Sequence, residues 1–307
     1  FHQQNRGGKG IKGMQTIEND YIEDLFMTTN HHHILFFTNQ GRVFRIKGYE
    51  IPEASRTSRG TALVNLLSLQ ENEIVTATLC LRDTNEEKYL ILTTKKGIIK
   101  KTELVQFANV RKNGMIAITL NEGDQLIEAK VLSEKEDIFL VTRKGMAIQF
   151  NEEDIRATGR SSMGVRGIRL NQGDEVIGMQ KSSQGELFLL VSEKGYGKLT
   201  DKSSFKAQAR GGKGIRCYKI TDKTGDLVGF KLCDKDREIL LITTEGIMIR
   251  FNLDKVSILG RNTSGVKLMD IDKDSDTVIA SVAKVREESA EEEEEAEKQD
   301  EETSEEK

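Results

Sequence analysis

Six short basic turns hold the side chains best suited to chemistry in this 307-residue chain. They run Arg6–Ile11 (RGGKGI), Arg56–Leu63 (RTSRGTAL), Val110–Ile118 (VRKNGMIAI), Gly159–Ile168 (GRSSMGVRGI), Ala209–Ile215 (ARGGKGI) and Gly260–Leu268 (GRNTSGVKL). Their cations come in pairs: Arg6 and Lys9, Arg56 and Arg59, Arg111 and Lys112, Arg160 and Arg166, Arg210 and Lys213, Arg261 and Lys267. Arginine offers phosphate a planar fork of donors and lysine a compact point charge. Adjacent glycines let a backbone approach a partner closely and present consecutive N–H groups to an anion. One heptad, Gln4-Asn5-Arg6-Gly7-Gly8-Lys9-Gly10, returns as Gln208-Ala209-Arg210-Gly211-Gly212-Lys213-Gly214, identical at six of seven positions. Its glutamines can reach a sugar or phosphate oxygen. Such groups position a nucleic acid without reading its bases.

Enzyme constellations are scarce. His31, His32 and His33 are consecutive, whereas a metal site wants alternate histidines on a strand or i, i+4 spacing on a helix; a solvated loop before a strand explains them. Gly8 to Gly13 matches G-x-G-x-x-G but lacks the strand–turn–helix setting that holds a pyrophosphate. No P-loop, G-x-S-x-G or H-E-x-x-H occurs. Cys80, Cys217 and Cys233 lie far apart with no C-x-x-C, which suits a reducing compartment. No catalytic residue, cofactor or metal is expected in this stretch of chain.

The turns recur, and so must the elements that carry them. Anchor glycines fall at 10, 60, 114, 164, 214 and 265, a period of about fifty residues. A second signal alternates with them: an apolar run, Thr/Ser-x-x-Gly, and another apolar run, with glycines at 41, 97, 145, 195 and 246. A glycine supplying positive φ between β-branched and aromatic runs is a hairpin signal. With further apolar stretches such as Leu126–Leu132 and Val176–Met179, each unit reads as four strands. The expected fold is all-β: a six-bladed, propeller-like disc whose neighbours bury each other's faces. Equivalent turns would then lie at one radius, as a positive rim. Hairpin-tip charges at Lys95, Lys96, Arg143, Lys144 and Lys194 read as solvation. There are six turns but five hairpins, so the sixth blade is either open or completed by a hairpin upstream of Phe1.

Charge divides the chain in two. Residues 287–307 hold 13 acids against two lysines, leaving residues 1–286 with 44 basic and 37 acidic side chains. The expected division is a six-repeat domain over 1–286 and a disordered acidic tail over 287–307, either a solubilising end or a competitor with a polyanion for the rim. No run of about 18 apolar residues and no secretory signal appear, so no membrane partner is expected. Aromatic residues near the turns are too few for a single-strand stacking platform, which favours duplex.

Gln4–Gly10 resembles the box motif Q-R-R-G-G-R/K-G of the DNA gyrase A C-terminal domain, and the fifty-residue repeats resemble that domain over residues 1–285. Asn5 departs from the consensus arginine, which removes one phosphate contact. The resemblance implies a β-pinwheel, in which hairpins are exchanged between blades, that wraps double-stranded DNA with a fixed hand. It implies a part of an ATP-dependent bacterial, cytoplasmic type II topoisomerase, an A2B2 assembly with gyrase B that introduces negative supercoils. ATP, magnesium and the catalytic tyrosine would belong elsewhere in that assembly, so Tyr21, Tyr49, Tyr89, Tyr196 and Tyr218 take no such role. The DNA-binding residues implied are Gln4, Asn5, Arg6, Gly7, Gly8, Lys9, Gly10, Arg56, Arg59, Arg111, Lys112, Arg160, Arg166, Gln208, Arg210, Lys213, Arg261 and Lys267. Two alternatives stay open: the topoisomerase IV counterpart, whose box is degraded, and a propeller used as a protein-interaction platform.

Overall fold

Each hairpin signal becomes a hairpin, and its tip explains the motif. In the computed structural model, which describes residues 11–12, 33–50, 63–81 and 87–285, the tip Thr or Ser turns its hydroxyl inward. There it accepts the N–H four residues on, at 3.1–3.4 Å in all five copies. The glycine between them has φ of 77° to 89°. Its carbonyl then accepts two consecutive N–H groups from a later turn: Ala117 and Ile118 on Gly41, Gly167 and Ile168 on Gly97, Cys217 and Tyr218 on Gly145, Leu268 and Met269 on Gly195. Thr/Ser-x-x-Gly is therefore both a turn and a socket.

Five four-stranded antiparallel sheets result among the described residues. The hairpins are His33–Thr38 with Arg42–Lys47, Tyr89–Thr94 with Ile98–Glu103, Asp137–Thr142 with Met146–Asn151, Leu187–Ser192 with Tyr196–Asp201, and Glu238–Thr243 with Ile247–Asn252. On one edge each pairs with an inner strand, in order Val75–Leu81, Leu126–Leu132, Val176–Lys181, Leu227–Cys233 and Ile279–Lys284, with a bulge beside the tip every time. Successive inner strands pack on one another. They surround a central hollow of about 790 Å³. On the other edge each hairpin pairs with a two-residue outer strand: Met115–Ile116, Val165–Arg166, Ile215–Arg216, Val266–Lys267 and, on the fifth sheet, Ile11–Lys12.

These outer strands are lent. Met115–Ile116 follows the second hairpin in the chain yet completes the first sheet, after which the chain returns as the second sheet's inner strand. The same step repeats down the chain, and Ile11–Lys12 joins the fifth sheet in the register its counterparts use. Exchange between blades is present, but what crosses is a two-residue outer strand and not the whole hairpin that the resemblance implied.

The expectation of six blades is corrected to five among the described residues. A sheet is built on a hairpin, not on a turn, and the chain has five hairpin signals for its six turns. Five of the six turns lend a strand to the edge of another sheet, and Arg56–Arg59 of the remaining turn lie outside the described residues. The acidic segment from residue 286 onward lies outside the described residues.

The core consists of slabs between sheets. First hairpin strands are buried on both faces, as in Leu187–Ser192, so they read as continuous apolar runs rather than alternation. Leu35, Phe37 and Val43 meet Leu90, Leu92 and Phe107 between the first two sheets. Between the third and fourth, Phe188 stacks on Phe205 at 4.2 Å and meets Phe139 edge-on at 5.2 Å. Helix is limited, among the described residues, to Leu63–Leu66 and short 3-10 turns.

The hairpin sockets admit no side chain. A Cβ on Gly195 would lie 2.5 Å from the Met269 carbonyl oxygen, on backbone with φ of 88°. Left-handed backbone alone costs about 1–2 kcal/mol. G195A is therefore expected to lose at least about 2 kcal/mol in denaturant unfolding; a loss below about 0.5 kcal/mol would show that the socket tolerates a side chain.

Candidate nucleic-acid interface

The sheet topology carries the basic turns to the edge opposite the central hollow. Each turn precedes an outer strand, and its arginine reaches the neighbouring sheet. Arg160 Nη1 donates to the Ile116 carbonyl at 2.6 Å, Arg210 Nη1 to the Arg166 carbonyl at 2.6 Å, and Arg261 Nη1 to the Arg216 carbonyl at 3.1 Å. A backbone bond answers in the other sense: Thr119 N–H donates to Ser162 O at 3.2 Å, Arg169 to Gly212 at 2.8 Å, and Lys219 to Thr263 at 3.0 Å. The perimeter is stitched from sheet to sheet by one repeated pair of bonds. The three arginines are half-buried, and the carbonyls they bind carry no counter-charge.

Position by position, the expected residues divide. Arg160, Arg210 and Arg261 occupy one equivalent place, four residues before the anchor glycine. Arg111 does not: Val110 holds that place and is buried in the core, while Arg111 and Lys112 stand exposed in the loop beyond it. Arg166 and Lys267 share another place, two residues after the glycine, opposite Ile98 and Tyr196 on the hairpins. Arg216 occupies it too, opposite Met146, and is exposed. Reading the turns had missed Arg216, although it follows Ile215 just as Arg166 follows Val165. Lys213 is exposed; Gln208 is half-buried and donates its backbone N–H to Gln149 O at 2.7 Å. The Gly211 amide is committed to Gly167 O at 2.9 Å, so it is not available to an anion as the glycine pair suggested. Gln4, Asn5, Arg6, Gly7, Gly8, Lys9, Gly10, Arg56 and Arg59 lie outside the described residues.

Two sets of cations now separate by their partners. Three at the hairpin tips are compensated by carboxylates: Lys95 with Glu175 at 3.4 Å, Arg143 and Lys144 with Asp226 at 2.8 and 2.9 Å. Lys96 and Lys194 bond the carbonyls of Glu122 and Asp222. Among the described residues, no carboxylate lies within ion-pair distance of Arg111, Lys112, Arg160, Arg166, Arg210, Lys213, Arg216 or Arg261; Lys267 has Asp270 at 3.5 Å. The basic residues of the turns therefore keep a field directed at solvent.

Beneath two of the turns lie lysines that the apolar strands conceal. Lys198 is fully buried and donates to the carbonyls of Gly260, Arg261 and Thr263 at 2.7, 3.0 and 3.0 Å, with the Thr263 hydroxyl at 3.1 Å. Lys100, equally buried, donates to Ala117 O at 2.8 Å and to Arg160 O. Burial, with the neighbouring guanidinium of Arg160 or Arg261 adding to it, draws both ammonium groups down to about 8; the Cys217 thiol opposes this at Lys198.

No group of three or more His, Cys, Asp or Glu residues is arranged for a metal among the described residues, and His33 opens a strand rather than lying in a loop. Burial pushes the Cys217 thiol up to about 12 and Cys233 up to about 11. No described helix is long and apolar enough to cross a membrane.

The repeats match the family model described as DNA gyrase C-terminal domain, beta-propeller, in six stretches: 2–29, 32–82, 88–133, 136–183, 186–234 and 237–282. The chain belongs to this family. It is 46% identical over 291 residues to the DNA gyrase A subunit of Clostridium acetobutylicum, covering 95% of this chain and 35% of that one. With the gyrase A subunit of Halalkalibacterium halodurans it shares 52% over 285 residues, covering 93% and 34%. The chain thus spans about a third of the length of these relatives. A solved DNA gyrase A C-terminal domain superposes with a TM-score of 0.83 at 29% identity, covering 93% of each chain. The C-terminal domain of a DNA topoisomerase IV shares the fold, with a TM-score of 0.77 at 23% identity over 88% and 84%.

The stitching of this gyrase-family disc can be tested apart from any ligand. R261A removes a charged donor from the Arg216 carbonyl, worth about 1 kcal/mol of local order. The Lys219 amide, bonded to the same turn, should then exchange with solvent about fivefold faster. Unchanged exchange would mean that the arginine does not hold the turn.

Proposed function

We propose that this chain binds and bends double-stranded DNA along the edge of its disc, winding it with a fixed hand for a gyrase assembly that introduces negative supercoils. The observation that carries the reading is the row of turn cations on consecutive sheets, all but Lys267 without a carboxylate partner, beside the tip cations Lys95, Arg143 and Lys144, which have one. Phosphate is the ligand such a row suits: anionic, regularly spaced and indifferent to sequence. The residues assigned to it are Arg111, Lys112, Arg160, Arg166, Arg210, Lys213, Arg216, Arg261 and Lys267, together with Gln208, Arg56, Arg59 and the box Gln4–Gly10.

The stitched backbone gives the row a use. Bending 20–30 base pairs through a large angle costs on the order of 1–6 kcal/mol. Contacts on a flexible edge would lose part of that in ordering themselves. Contacts on carbonyl-anchored arginines are held before DNA arrives, so the curvature of the disc is imposed on the duplex. Strand passage belongs to the rest of the assembly, formed by the remainder of the gyrase A polypeptide and by gyrase B, where ATP and magnesium act; the enzyme is bacterial and cytoplasmic. The gyrase A relatives favour this over the topoisomerase IV reading.

The thirteen assigned cations, all engaged, would give a log–log salt slope of up to about −12 for a random duplex. A slope shallower than about −3 would reject the basic edge. Ligating nicked plasmid in the presence of this chain should leave a shift in linking number of one sign; its absence, with binding intact, would reject a handed wrap.

A further inference from the structure

The turns differ in a way that their own sequences only half explain. Before the anchor glycine, the turns at 114 and 214 carry two cations, Arg111 with Lys112 and Arg210 with Lys213, whereas those at 164 and 265 carry one, Arg160 or Arg261. Under each turn lies the hairpin residue three beyond the tip glycine. It is Phe44 and Ile148 under the first pair, and Lys100 and Lys198 under the second. The register of Ile11–Lys12 puts Ile249 at that position in the fifth sheet, and the sequence ahead of it holds Arg6 and Lys9. Two cations above an apolar residue, or one above a lysine: each turn has two.

We infer that Lys100 and Lys198 are the second cations of their turns, supplying positive charge to the DNA-facing edge from beneath the backbone. The inference rests on the reading of that edge as the duplex site and names two positioning residues for it. The geometry explains why these lysines are tolerated. The Lys198 ammonium is surrounded by carbonyls of the turn it supports, Arg261 among them, and that of Lys100 bonds the Arg160 carbonyl of its own turn and Ala117 of the turn before. The lysine thus covers the negative ends of peptide dipoles that would otherwise face the arginine's own phosphate. A mere packing role would be met by isoleucine, as Ile148 does beneath Gly212.

Burial also makes the charge removable. Around Lys198 lie Arg261, the Cys217 thiol and the Tyr218 ring, 5.3 Å away; around Lys100 lies Arg160. Cys217 stays protonated far above neutrality, so each lysine loses its proton first, near pH 8. A bound polyanion favours the protonated lysine, so affinity must fall as pH rises through that value. Lys284 also titrates near 8, but it lines the central hollow and remains in the variants below.

The test is duplex affinity of this chain, by fluorescence anisotropy at low salt, from about pH 7 to pH 9. The intact chain should bind several-fold more weakly at the upper end. K100I/K198I should bind about tenfold more weakly at pH 7 and show a flat profile, with melting followed to establish that it folds. Adding a lysine just before the glycine, where Lys213 stands in its own turn, gives K100I/M163K, which should regain the affinity lost by K100I without regaining the pH dependence of Lys100. A flat profile for the intact chain overturns the inference without needing any variant to fold. So does a K100I/K198I protein that binds and titrates like the intact chain, or a K100I/M163K protein that stays weak. In each case duplex binding by the intact chain leaves the reading of the edge standing; failure of the intact chain to bind duplex removes that reading instead.

Discussion

The disc depends on one carbonyl oxygen per hairpin. At each tip a glycine with positive φ turns its C=O away from its own hairpin, and in four sheets that oxygen receives two successive N–H groups from a turn that belongs to a later repeat. Any other residue would set a Cβ against the incoming chain. This contact fixes where each outer strand lands, and the outer strand fixes where the basic turn stands relative to the neighbouring sheet. Sheet number, strand exchange and the position of every edge cation follow from it.

Charge follows the same geometry. Loops of the form Asn-x-Gly-Asp bring Asp124 and Asp174 onto the tip amides of Lys96 and Lys144, while Asp226 meets the side chains of Arg143 and Lys144. Acids therefore gather beside the hairpin tips, where Lys95, Arg143, Glu175 and Glu193 line the hollow. The opposite edge carries arginines bonded to neutral carbonyls. One composition yields acids gathered beside the tips and arginines without them at the opposite edge, a distribution that the sequence-wide net charge conceals.

Much of this was legible in the sequence, because a period of fifty residues with a glycine at fixed phase reports backbone geometry directly. The hairpins, the four-strand units and the equivalence of Arg160, Arg210 and Arg261 can be found by counting from glycines. The number of described sheets follows the hairpin glycines and not the turn glycines, since a turn supplies only an edge strand to a sheet built on another repeat's hairpin. Arg111 was misplaced for a related reason: proximity to a glycine was counted, whereas the offset itself decides whether a residue stands at the stitch or, like Val110, in the core. Lys100 and Lys198 were invisible because a lysine inside an apolar strand normally means a solvated face, and here the solvent is replaced by carbonyls of a chain segment about sixty residues away.

The lending of strands also sets the order of assembly. Met115–Ile116 can complete the first sheet as soon as the second hairpin has been made, and each later sheet waits in turn for one more repeat. Ile11–Lys12, however, pairs with residues 247 and 248. At translation rates of about 5–20 residues per second, that stretch stays without its partner for roughly 10–50 seconds. A nascent chain would then grow sheet by sheet, and the pairing of Ile11–Lys12 would be a late event, made between segments that are far apart in the sequence and neighbours in space.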